Sequence, residues 1–415
     1  MVFRAESPPP DKYVMEPYLK PYRWVIVALV WLLYVTFGLV SRSVSPLVTP
    51  ILRDLNISYG QMGLILGSWQ LTYIAVAIIA GALIDKWGVR RPLFIGTVIV
   101  SLSAALRYFP CGFGSFLAVV ALFGVGGSLI SIGVPKAISM WFSGKSRGTA
   151  TGIYMTGMYI GGLFAFSATN SVVMPLTGYS WRLTFVCYGM LTFAVALLWL
   201  LLARDTKPAE ATDSSNMRTV FGRLIKVRNV RIVLLIGLLS FAIMHGFTNW
   251  LPKILENGGF SATTAGFAAS IPLAVGIPSV LVIPHVAPPR LRARVIALLA
   301  SLAAVALVLS LATSSLPLII GLVLFGIAGP SLFPLLILVL MDSPEVGSEY
   351  MGSAGGIFFC VAETGGFTGP LIIGALVDMT GGFLVGTAFL VGLCLVIFAA
   401  TFLLRTQPTT RPESL

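Results

Sequence analysis

Four ionisable side chains stand inside otherwise apolar runs of this chain: Arg42, Lys136, His245 and Glu363. A charged group at the centre of a bilayer costs about 2.5–3.5 kcal/mol on insertion scales, so each of these needs a partner or a task. An arginine offers a planar fork of N–H donors that fits carboxylate or phosphate oxygens. A carboxyl group shielded from water can hold and release a proton. The residue types therefore point to binding an anion and exchanging a proton rather than to bond-making chemistry. Two readings stand for each residue. Arg42 and Lys136 either meet a ligand or snorkel to an interface. Glu363 either exchanges a proton or pairs with Lys136 or Arg42. His245, with Asn249 one helical turn later on the same face, either shapes a ligand site or bonds a neighbouring helix.

The elements that must position these groups are membrane helices. Hydrophobic residues make up 57% of the chain and charged residues 10%, which excludes a soluble globular protein. A helix needs roughly 20 apolar residues to cross the hydrocarbon core. The sequence predicts spans at 24–52, 60–84, 92–110, 115–142, 148–173, 181–203, 230–255, 262–284, 293–314, 316–341, 350–377 and 382–404. The fold class expected is an all-α membrane protein, with twelve transmembrane helices in two pseudo-symmetric six-helix bundles. The bundles run over 24–203 and 230–404, joined by a polar cytosolic linker at 204–229, with short tails at 1–23 and 405–415. The first tail, with Pro8-Pro9-Pro10 and no apolar core, does not read as a signal peptide.

The net charge of +12 follows topology rather than a nucleic-acid partner. Of the 27 Lys and Arg residues, only Arg53, Arg107, Arg182 and Lys253 fall in outer segments, and Arg42 and Lys136 lie in spans. The rest fall in segments assigned to the cytosol, which places both termini there. A prokaryotic inner (plasma) membrane is the expected location, and a monomer the expected state. Cys111, Cys187, Cys360 and Cys394 show no ligand spacing, so no metal and no disulfide framework is expected. No cofactor is expected either. There is no phosphate-binding loop for ATP and no nucleophile–base arrangement, so an enzyme is not indicated.

Between the second and third spans lies Gly81-Ala82-Leu83-Ile84-Asp85-Lys86-Trp87-Gly88-Val89-Arg90-Arg91-Pro92. This run of glycine, aspartate, a base, glycine and two further bases resembles the loop signature of the major facilitator superfamily. The resemblance implies the major facilitator fold and transport by alternating access. It implies that Gly81, Asp85, Gly88, Arg90 and Arg91 form a gating element holding the cytosolic side closed. The stretch Val40-Ser41-Arg42-Ser43-Val44 to Ile57-Ser58-Tyr59-Gly60-Gln61-Met62-Gly63 resembles the anion:cation symporter branch, whose members carry sugar acids, sialate and glutamate. That branch also has an arginine at the place of Arg42, and one in the fourth span near Lys136. The acidic residue that often precedes the first arginine is Ser41 here, which weakens the branch's proton pathway in this chain. Cyanate-type permeases and monocarboxylate carriers are further members with plausible likeness.

The halves repeat. Phe123-Gly124 returns as Phe325-Gly326, and Gly161-Gly162 as Gly365-Gly366, at nearly the same offset. Parallel six-helix repeats around a midplane site are what the resemblance implies. Tyr159 is the repeat counterpart of Glu363 and is expected to face the cavity. The counterpart of the gating signature, Pro284-His285-Val286-Ala287-Pro288-Pro289-Arg290, has lost the acid and the turn glycine, so the second half is expected to lack an equal latch.

These readings give a secondary transporter for a small anion, a carboxylate first, with Arg42, Lys136, Tyr159, His245 and Asn249 as substrate-binding residues and Glu363 as the proton-coupling group. Its partners are the anion, protons and the lipid bilayer. A multidrug or lipophilic-cation carrier, including one for choline-like cations, is the alternative. The fifth-span antiporter signature has Met158 where that class has proline, and the first-half spans carry no acid to receive a cation. A non-transporting sensor is a minor alternative, disfavoured by the short central loop.

Overall fold

A computed structural model describes residues 19–204, 222, 224–312, 314–343 and 346–404. Residues 1–18 of the first tail, most of the 204–229 linker and the 405–415 tail lie outside the described residues. Within them the secondary structure is helical, and eleven helices are long and apolar enough to cross a membrane. A further helix, Arg90–Leu106, has 17 residues, about 26 Å at the helical rise. Counted with it, the described helices follow the twelve spans read from the sequence.

The first span is not one rod. It runs as Leu19–Arg42, breaks through a short 3-10 turn at Ser45–Leu47, and resumes as Val48–Leu55. Pro46 explains the break: it has no N–H to offer the carbonyl four residues back, which belongs to Arg42. Three helix starts are set by hydroxyl caps. Ser58 accepts from the Gln61 amide at 3.2 Å while the Gln61 side chain accepts from the Ser58 amide at 3.0 Å, a reciprocal cap that begins the second span, Tyr59–Trp87. Ser180 and Ser261 cap the sixth span, Trp181–Leu202, and the eighth, Ala262–Val286. The third span ends at Leu106, short of the predicted 110. Pro110 disfavours helix in the residue before it, so the apolar run finishes as an irregular turn.

The remaining spans are Phe113–Trp141, Gly144–Ala168 continued by a π turn to Leu176, Arg228–Asn257, Arg292–Leu309, Ser315–Met341, Gly347–Thr380 and Phe383–Thr401. The fifth and eleventh spans pack backbone to backbone on the first and seventh. A methyl group on Gly161 would collide with the Val35 carbonyl, and one on Gly365 with the Leu238 carbonyl. These two glycines are repeat counterparts, so the same helix pair is built twice. Glycine is required for such close approach.

The end that carries Arg23, Asp85 and Arg204 is called inner here, the other outer. At the outer end the halves interlock. A methyl on Gly63 of the second span would strike the Pro370 carbonyl of the eleventh, and one on Gly266 of the eighth the Phe166 carbonyl of the fifth. Thr49 bonds Glu256, and Lys253 donates to Thr49 at 2.9 Å. Toward the inner end the same helix pairs part: Gly81, Gly148, Gly355 and Gly356 face open space. The halves are therefore packed more closely at the outer end than at the inner end.

Candidate binding site between the halves

Arg42 lies at the break of the first span and is 5% exposed. Its Nη1 donates across to the seventh span, to Thr248 Oγ1 at 2.9 Å and Asn249 Oδ1 at 2.8 Å. Thr248 can receive this bond because its own hydroxyl proton goes to the Met244 carbonyl. Nε and Nη2 donate to no protein acceptor among the described residues, and neither is sealed from space. No carboxylate among them lies within ion-pair reach of the guanidinium. The Nε–Nη2 edge is thus open, and two parallel N–H groups on one edge match the two oxygens of a carboxylate.

His245 sits one turn before Asn249 and takes a different partner, its Nδ1 lying 3.2 Å from Gln70 Nε2. The Gln70 amide also faces the Gly366 carbonyl at 3.4 Å, which can only accept, so the amide nitrogen is the donor to both. Nδ1 then accepts and the ring proton belongs on Nε2. Trp69 and Phe241 flank the imidazole, with ring centroids 6.0 and 5.7 Å away.

Glu363 is 7% exposed and its Oε2 has no hydrogen-bond partner among the described residues. It converges with His245 and Gln70 on the room left by Gly366. A Cβ there would stand 3.1 Å from Glu363 Oε2, 3.2 Å from His245 Cδ2 and 3.4 Å from Gln70 Cγ. Gly162, the repeat counterpart, leaves the same kind of room beside the Arg42 stem (3.3 Å) and Leu273 (3.1 Å). Of each Gly-Gly pair, one glycine packs helices and the other keeps the site hollow. Tyr159 and Glu363 both lie close enough to feel the Arg42 charge, and Tyr159 stands against Gly276 at the seam.

The structure brings together Arg42, Asn249, Tyr159, His245 and Glu363. It does not bring Lys136 to them. Lys136 pairs with Asp85 at the inner end, with the Ile84 carbonyl 3.5 Å away. Gly88 makes the turn that follows with φ of 76°. Arg90 then docks the third span on the sixth: its Nη2 donates to the Leu200 carbonyl at 2.7 Å and its own carbonyl accepts from Trp199 at 2.9 Å. Arg91 is exposed. The second half also has an ion pair at this level, between Arg292 and Asp342. Here the base follows the second helix of the repeat and the acid ends the fourth, the reverse of Asp85 and Lys136. The stretch 284–290, which corresponds to the gating signature, supplies neither partner of this pair.

Gln70 and Thr248 join the site without being among the residues singled out from the sequence. A lone amide in the apolar run of the second span was the available signal. The four cysteines are unpaired, and no three His, Cys, Asp or Glu among the described residues could hold a metal.

The profile of the Major Facilitator Superfamily matches residues 30–370. The chain is 26% identical over 394 residues to the hexuronate transporter of Bacillus subtilis (strain 168), covering 88% of this chain and 90% of that one. It is 27% identical over 421 residues to a protein of Escherichia coli (strain K12) named "Probable L-galactonate transporter", covering 90% and 88%. Its fold matches that of a bacterial homologue of the human lysosomal transporter Spinster with a TM-score of 0.77 at 17% identity, over 92% of this chain and 97% of that one. With twelve spans among the described residues, a repeated architecture and a profile match over most of its length, this integral membrane protein belongs to the Major Facilitator Superfamily, a family of transporters.

Proposed function

We propose that this protein is a secondary transporter for a small organic carboxylate of the sugar-acid kind, working by alternating access. The observation that carries the reading is the open Nε–Nη2 edge of Arg42, a buried guanidinium with neutral bonds on one nitrogen and no acid of its own. An unneutralised cation in a cavity favours an anionic ligand. The names of the relatives, a hexuronate and an L-galactonate transporter, support a polyhydroxy acid. Tyr159, His245, Asn249 and Gln70 supply hydroxyl, imidazole and amide groups suited to sugar hydroxyls. Glu363 exchanges the coupling proton in this scheme. Asp85, Arg90 and Arg91 hold the inner end when it closes, both termini face the cytosol, and the chain acts as a monomer.

The test is thermal stabilisation of the purified protein by a panel of galacturonate, glucuronate, small monocarboxylates, inorganic anions and quaternary ammonium ions. A ligand at a hundredfold its Kd adds about 2.7 kcal/mol of stability. A sugar acid is expected to stabilise wild type and to lose the effect in Arg42→Ala. Stabilisation by quaternary ammonium alone would move the assignment to a cation carrier, with the unpartnered Glu363 oxygen as its anchor.

A further inference from the structure

We propose that Arg107, at the outer end of the third span, is a positioning residue that sets Arg42 at the break of the first. The proposal rests on the reading of Arg42 as the anion-binding group and deepens it. Counted from the sequence among the charges of outer segments, Arg107 does not reach solvent: it is 1% exposed. Its Nη1 donates to Ser43 Oγ at 3.0 Å and to the Val40 carbonyl at 3.3 Å, and its guanidinium stacks on Phe185 with the ring centroid 5.0 Å away. Its Nε has no partner, and no carboxylate among the described residues pairs with it.

The reason for so costly a group lies in the first span. The helix ends at Arg42, so its last carbonyls lose their donors, and Pro46 cannot supply one. Ser43 turns its own hydroxyl proton back to the Val40 carbonyl at 2.8 Å, leaving its oxygen free to accept from Arg107. Arg107 thus caps the broken helix end from a neighbouring span, holding the residue two before Arg42 and the one after it. A cation at a helix C-terminus is favoured by the backbone dipole. The resulting chain runs from Phe185 of the sixth span through Arg107 of the third to Val40 and Ser43 of the first. Arg42 continues it to Thr248 and Asn249 of the seventh. Without the cap, residues 40–45 gain freedom and the open edge of Arg42 no longer points one way.

The experiment has two arms, using the full chain in liposomes and in detergent. In the uptake arm, Arg107→Met is expected to raise the half-saturating galacturonate concentration about tenfold, equivalent to 1.4 kcal/mol of binding. The maximal rate should fall far less, and Arg107→Lys, which keeps a charged donor, should recover part of the affinity. Ser43→Ala, a mild change safe for folding, should shift affinity the same way. Loss of maximal rate with unchanged half-saturation in both Arg107→Met and Ser43→Ala would overturn the proposal.

The second arm needs no ligand. In thermal unfolding, Arg107→Met should cost less in an Arg42→Ala background than in wild type, since it acts through Arg42. Strictly additive losses would reject the positioning role. Wild type that ignores every carboxylate would remove the functional reading, and the ligand-free cycle would still decide for or against Arg107.

Discussion

Asp378 ends the eleventh span where Gly60 begins the second, and its Oδ2 accepts the Gly60 amide at 2.7 Å. The same carboxylate accepts from the Ser58 hydroxyl at 2.7 Å and, through Oδ1, from the Tyr59 amide at 2.9 Å. One half thus caps a helix of the other, satisfying amides that a helix start leaves without partners. At the inner end Asp85, near the close of the second span, instead pairs with Lys136 of its own half. Each half carries an acid on the helix that faces its partner.

The outer clasp yields the first prediction. Asp378→Ala removes three bonds that exist only while the outer end is shut, so the equilibrium shifts toward outward opening. In a cysteine-free background, Ser45→Cys is 2% exposed in this state at the parent serine. Its labelling by an impermeant maleimide added outside is expected to speed up severalfold with Asp378→Ala. An unchanged labelling rate would show that the clasp does not hold the gate.

Arg42→Lys keeps the charge and loses the two-pronged edge. Uptake of a sugar acid is expected to fall by about a hundredfold, since a lost charge-assisted bond to a buried group costs roughly 1.5–3 kcal/mol. Equal affinity in the lysine variant, measured by concentration dependence of uptake, would argue for a point-charge role.

Glu363→Gln is isosteric and cannot release a proton. If Glu363 couples transport, wild-type uptake rises as the outside is acidified relative to the inside, because protonation loads the carrier from that side. The variant should show a flat response to the imposed gradient while still exchanging substrate for substrate. Retained gradient-driven accumulation would clear Glu363 of that role.

Gly366→Ala places a methyl 3.1–3.4 Å from Glu363, His245 and Gln70, tighter than side chains normally stand. Selectivity should move toward smaller acids, with hexuronate uptake lost before that of three-carbon acids. A uniform loss across acid sizes, measured by competition, would indicate general misfolding.

The inner ion pair makes a clean cycle. Asp85→Asn leaves Lys136 without its acid, and Lys136→Met leaves Asp85 without its base. The double variant is expected to transport better than the Lys136→Met or Asp85→Asn chain alone, a coupling that uptake rates measure directly. Additive losses would show that the two act apart.

The twelve spans were legible because a bilayer imposes length and polarity so strictly. Arg42, His245, Asn249 and Glu363 were legible for the related reason that polar groups are rare inside apolar runs. Partner choice was not. His245 and Asn249 share a face, yet one turns to Gln70 and the other to Arg42, because they meet neighbouring helices at different depths. Lys136 looked like a ligand group until Asp85, read as part of a loop, proved to be within its reach. Arg107 was counted in an outer segment, and its burial was not legible because helical spacing gives a position along the axis and says nothing of where a side chain folds at the end.

The guanidinium of Arg42 has one more implication. The bond that ties the two halves and the edge left for cargo leave from different nitrogens of one flat group. An arriving acid can therefore grip the near edge while Thr248 and Asn249 still hold the far one. On the proposed reading of Arg42, handover between docked protein and docked cargo would proceed as an overlap, with one edge of the guanidinium held while the other changes partner.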